Sequence, residues 1–208
     1  MKGFRMFRRI GHALIALALV SVPAIGQTIE SQYTTFDARK CKHEKGTAVE
    51  DYGTWTCPGY QKLRVMLAAG DQRMYVTYGN WKKDDIALSQ TFPGFNSVYE
   101  GTVEWRIEKR SDGKTRPFAT ILRWNIVTAA DSEKATGPIK STGRVLVVTR
   151  LGPGGVCHVG YVDAKANPDA NELARKIADE HARTFRCGKD KRIVLGKPGE
   201  VSMPQGSD

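Results

Sequence analysis

The chain has 208 residues, 32 Lys and Arg against 22 Asp and Glu, a formal net charge of +10 and four cysteines. That length fits one domain or two small ones with a sizeable core. Basic residues alternate with acidic ones instead of forming a long run, which speaks for a mixed-charge solvated surface and against a dedicated nucleic-acid or polyanion site.

At the N-terminus, Lys2, Arg5, Arg8 and Arg9 precede an apolar run over residues 13–20, and Ala24 and Gly26 supply small residues at a cleavage site. Residues 1–26 read as a secretory signal, and the run is too short to leave a stable membrane span. Its removal takes away four basic residues and no acidic one, so the mature chain carries +6. One domain is expected over 27–188, followed by a largely disordered tail over 189–208.

Residues 27–31 read as a tether and 33–36 as a short strand. The stretch 42–54 holds His43, Glu44, Glu50 and Asp51 among glycines. It reads as a polar loop, since nothing fixes those side chains at a metal-ligand spacing. Strands are expected at 54–57, 63–67 and 73–78, the last two as a hairpin. Residues 80–94 are unpatterned and read as a surface connection. Around Asp112-Gly113 a two-residue turn would pair residues whose numbers sum to 225, placing Trp105 opposite Thr120 and Ile107 opposite Phe118. That register makes one face apolar and leaves Glu104, Arg106, Glu108 and Arg123 on the other, with Arg123 diagonal to Glu104.

Residues 129–141 read as a loop, and 144–149 as a strand buried on both faces. Gly152-Pro153-Gly154-Gly155 reads as a turn; it feeds a strand, not a helix N-terminus, and lacks a following Gly-Lys-Ser/Thr, so it is no phosphate cradle. A strand over 156–162 leads to Asn167 as N-cap and Pro168 as the next residue. Leu173, Ile177 and Phe185, with Ala170, Ala174, Ala178 and Ala182, form an apolar stripe on the helix that follows, which Cys187 and Gly188 close.

The four cysteines Cys41, Cys57, Cys157 and Cys187 lie in the exported part, where an even number favours two disulfides. Three connectivities are open; the shortest loops favour Cys41–Cys57 and Cys157–Cys187. The fold class expected is α+β, a mainly antiparallel β-sheet with one C-terminal amphipathic helix packed on it and two disulfides.

The chemistry is sparse. No Gly-x-Ser-x-Gly, His-Glu-x-x-His or dinucleotide fingerprint occurs. No cofactor and no metal is expected, and no catalytic residue is assigned. Among the histidines, His158 sits on a strand face turned away from Cys157 and the helix. Arg64, Arg73, Arg106 and Arg123 lie on expected strands, where a rigid guanidinium suits bidentate contact with carboxylates.

Cys57-Pro58-Gly59-Tyr60, Gly70-Asp71-Gln72-Arg73, Glu104-Trp105-Arg106, the segment 117–123 and the segments 174–179 and 185–188 together resemble a group of uncharacterised exported proteins of Gram-negative bacteria. The resemblance covers nearly all of the mature chain. It implies export and carries no assigned activity.

The reading is therefore a non-catalytic periplasmic or secreted protein of the cell envelope, binding an envelope protein or a wall polymer through His158 or its strand arginines. The alternative is a hydrolase without a recognisable motif, using His158 and a carboxylate.

Overall fold

Two sheets face each other, and a helix lies on the outer face of the larger one. The computed structural model describes residues 28–48, 51–80 and 85–204. The expected signal segment, Glu50 and part of the 80–94 connection lie outside the described residues.

The larger sheet runs in the order β1 (Thr28–Asp37), β7 (Glu100–Lys109), β8 (Thr115–Ile126), β9 (Gly143–Arg150), β10 (Cys157–Asp163) and β11 (Ile193–Val194), with β6 (Asn96–Ser97) against the end of β8. The smaller sheet is β2 (Lys42–Glu44), β3 (Asp51–Pro58), β4 (Arg64–Gly70) and β5 (Arg73–Gly79). Pairing is antiparallel except between β10 and β11. Two helices, α1 (Ala129–Glu133) and α2 (Ala170–His181), complete the described elements with two short 3-10 turns.

Strand alternation sends each strand's side chains to two different cores. Trp105, Ile107, Leu122 and Trp124 meet Val65, Leu67, Val76 and Tyr78 between the sheets. Ile121, Leu146, Val148 and Val159 meet Ala174, Ile177 and Ala178 of α2 on the outer side. The β9 strand is buried on both faces, as its unbroken apolar run requires.

Both disulfides join the expected pairs, Cys41 to Cys57 and Cys157 to Cys187, with Cα–Cα distances of 4.8 and 5.7 Å. They fit a chain that matures in an oxidising compartment. No helix among the described residues is long and apolar enough to cross a membrane.

The β7–β8 register matches the expected pairing from Val103–Leu122 to Arg106–Ala119 and then slips by one, so Ile107 faces Pro117. The loop is one residue longer than expected, with Arg110 N donating to Lys114 O at 2.9 Å. The bulge turns Phe118 to the α2 side, where the Arg183 guanidinium lies 4.6 Å from its ring centre.

Several expectations are corrected. The 27–31 tether is already strand from Thr28, paired to β7. Part of the 42–54 loop is the β2 strand, and His43 stacks on Trp55 at 4.5 Å. Residues 85–94 do more than connect, since Ala87 and Phe92 are buried in the inter-sheet core. The 129–141 loop opens with α1, held by a capping box between Thr128 and Asp131.

Asn167 does not cap α2. That position belongs to Asp169, while the Asn167 side chain donates to Asp163 O and Lys197 O and accepts from Lys197 N. Those bonds fold the C-terminal segment back, so the expected disordered tail is instead built in as far as residue 204, with β11 along β10 and Val201 in the inter-sheet core. The helix is therefore not the C-terminal element. It also ends at His181, six residues before Cys187, and the chain turns through 182–188 to reach the bridge.

Candidate functional site

Among the described residues, the largely apolar concavity at one end of the sandwich and a charged one beside α2 bear on function. The larger, about 560 Å³, opens at one end of the sandwich. It is lined by Leu63, by Tyr78 at the end of β5, by Asp85 and Ile86, by Arg116 and Pro117 at the start of β8, and by the 151–156 turn between β9 and β10. Tyr78, Leu151 and Val156 belong to the inter-sheet core, so the cleft is an opening of that core. Its volume lies in the range of about 300–1,000 Å³ usual for small-molecule sites.

The wall made by residues 152–155 is held from behind. The Arg150 guanidinium donates to Pro153 O at 2.6 Å, Gly154 O at 3.4 Å and Phe185 O at 2.6 Å. Gly154 and Gly155 have φ of +92° and +102°, backbone that glycine adopts without strain. The Tyr78 phenol is pushed well above its ordinary range by burial, so it stays neutral.

The second concavity, about 370 Å³, lies beside α2 on the outer face of the larger sheet and is lined by Tyr33, Glu100, Glu104, Arg123, Asn125 and Asn171 among others. Glu104, in its lining, belongs to a network of two guanidinium forks under α2. Arg106 meets Asp179 with Nε–Oδ1 at 2.9 Å and Nη2–Oδ2 at 2.6 Å. Arg175 meets Glu104 with Nε–Oε1 at 2.7 Å and Nη2–Oε2 at 3.2 Å. Ser31 Oγ joins the two by donating to Glu104 Oε1 and accepting from Arg106 Nη1. The bond to Glu104 holds the Arg175 guanidinium above its ordinary range. Guanidinium forks paired in this way organise structure and leave Glu104 little capacity for a ligand.

The four candidate arginines therefore do not form one binding face. Arg106 is buried under α2, because the polar strand face set by the hairpin register is the face α2 covers. Arg73 donates to Phe92 O at 3.3 Å, Pro93 O at 3.0 Å and Asp71 Oδ2 at 2.6 Å, pinning a loop. Arg64 is exposed on β4 and lines a separate hollow with Met66. Arg123 shares the charged concavity with Glu104, as the diagonal register implies, but Glu104 is occupied by Arg175 and no ion pair forms between them.

His158 points to the inter-sheet side as expected, yet it has no solvent exposure. Its Nδ1 lies 3.0 Å from the Tyr161 hydroxyl and its ring meets Trp124 edge to face at 5.7 Å. It lines neither concavity. A base sealed in this way has no path to a substrate, which removes the support for a His158 hydrolase. The carboxylates are likewise engaged: Glu100 pairs with Arg39 at 2.9 Å, and Glu108 with Arg116 at 3.4 Å and Arg110 at 3.5 Å.

Sequence reasoning missed Arg116 and Leu151. Their cleft draws on five separated segments, and no local pattern links residue 63 to residues 78, 86, 116 and 151; only the 152–155 turn stood out. No family model, no curated protein and no solved structure matches the chain.

Proposed function

We propose that the protein is a non-catalytic binding protein of the cell envelope, exported through its N-terminal signal, that takes a small apolar or amphiphilic molecule into the cleft at the end of the sandwich. The observation that carries this is the cleft itself, a 560 Å³ opening of the inter-sheet core whose walls include Leu63, Tyr78, Ile86, Leu151 and Val156. Apolar surface left uncovered at that scale is stabilised when a ligand shields it from water. The two disulfides and the signal-like first 26 residues support an exported location, the periplasm or the exterior. The resemblance to exported Gram-negative proteins points the same way.

The test uses N-phenyl-1-naphthylamine, a neutral probe that fluoresces in apolar surroundings. Saturable binding to the mature oxidised protein is expected, lost in Leu151→Trp and in Ile86→Trp, each of which fills the cleft from a different wall. Near-UV circular dichroism checks that the variants are folded. Probe fluorescence that never saturates, or that both folded variants retain, removes this reading.

A further inference from the structure

Resting on the cleft reading, we propose that the ligand is an amphiphile with one anionic head group, carboxylate or phosphate, and that Arg116 receives that group. Arg116 lines the cleft with a side chain 39% exposed, and among the described residues its one acidic contact is the Nη2–Glu108 Oε2 pair at a long 3.4 Å. The same carboxylate, 3% exposed, also serves Arg110 at 3.5 Å. One buried acid is thus divided between two guanidiniums, and the Arg116 Nη1 group donates to no acceptor among the described residues. Its Nε is shielded from solvent, also without an acceptor.

Arg150, behind the 152–155 wall, adds a third cation. It donates only to carbonyl oxygens, and burial together with the neighbouring Arg116 charge makes its own charged state less favourable than usual. On the β5 side of the cleft, Asp85 accepts from Thr77 Oγ1 at 3.1 Å. An anion at the rim gives Arg116 the two-pronged partner that guanidinium geometry prefers. An apolar tail then fills the hollow. A polar anion alone would leave the hollow wet, and a neutral hydrocarbon would leave Arg116 short of an acceptor.

Displacement of N-phenyl-1-naphthylamine by dodecanoate, dodecyl phosphate and dodecanol tests this. At least one of the two anions is expected to displace the probe at a concentration about tenfold below that of dodecanol, the size of one charge-assisted hydrogen bond. The two anions compared with each other separate a fatty-acid-like from a phospholipid-like head group. Raising the salt concentration should narrow the preference. Arg116→Gln should bring the three compounds within about twofold of one another, Arg116→Lys should keep part of the preference, and Lys176→Gln, an equal charge change on exposed α2, should keep all of it. Equal displacement by dodecanol in the unmutated protein overturns the head-group assignment and leaves the cleft reading standing. An anion preference that survives Arg116→Gln likewise overturns the assignment. Failure of the neutral probe to bind at all removes both.

Discussion

The two faces of the larger sheet are built from the same strands and held by different forces. Toward the smaller sheet, β7 presents Val103, Trp105 and Ile107, and the contact is made by shape, with Trp105 and Trp124 filling the middle. Toward α2 the same strand presents Glu104, Arg106 and Glu108, and α2 answers with Ile177 among small residues, Ala174, Ala178 and Ala182. Alanines fit many positions along a sheet, whereas a bidentate Arg106–Asp179 fork fits one. The apolar face supplies cohesion, and the charged rim supplies register for the helix.

Mutations should separate these roles. On the shape-packed face, Trp105→Ala removes the largest fully buried side chain and its Nε1 bond to Thr34 Oγ1, and should cost about 3–5 kcal/mol in chemical denaturation. A loss below about 1 kcal/mol would mean that the sheets are not held by this core. On the helix side, Cys187→Ala should cost about 2–5 kcal/mol by freeing the 30-residue loop back to Cys157. Next, Arg106→Ala strands the Asp179 carboxylate and should cost about 1.5–3 kcal/mol. The sharper experiment pairs it: Arg106→Met with Asp179→Leu should recover stability to within about 1 kcal/mol of the unmutated protein, while hydrogen exchange in α2 speeds up. A double variant as unstable as Arg106→Ala, with α2 exchange unchanged, would put the fork among the ordinary stabilising contacts and end its role in register.

The smallest effect expected is a pH dependence outside both faces. The Asp131 carboxylate is held below the ordinary carboxylate range by the backbone N–H groups of Thr128 and Thr142. Its contribution is present in full above about pH 4 and is lost as pH falls through the lowered folded value, because the unfolded chain binds the proton first. Asp131→Asn should therefore lower the melting temperature slightly at neutral pH and converge on the unmutated protein in acid. A gap that widens in acid would contradict the capping-box account.

Much of the scaffold was legible in the residues. Short loop spans selected the correct disulfide pairs, and the hairpin rule placed Trp105 opposite Thr120. The rule failed beyond Arg106, because Asp112-Gly113 sits in a longer loop and the extra residue is absorbed by a bulge. The burial of Glu104 and Arg106 was not legible: period-2 alternation says that a face is polar, and only the position of α2 says that the face is covered. Asn167 misled for a similar reason. It precedes Pro168 as a capping residue would, but its amide oxygen instead accepts from Lys197 N and its Nδ2 donates to Lys197 O, on the returning chain some thirty residues away. The candidate site was the least legible part, because Leu63, Ile86, Arg116 and Leu151 meet only once both sheets have formed.

The bridge between Cys157 and Cys187 reaches further than the helix it fastens. A Cβ placed on Gly155 would stand 3.4 Å from the Cys187 sulfur, so the rim of the opening runs close beside that bond. The sulfur bridge and the Arg150 guanidinium thus back residues 152–155 together, and a chain whose sulfurs are reduced keeps only the guanidinium behind the mouth.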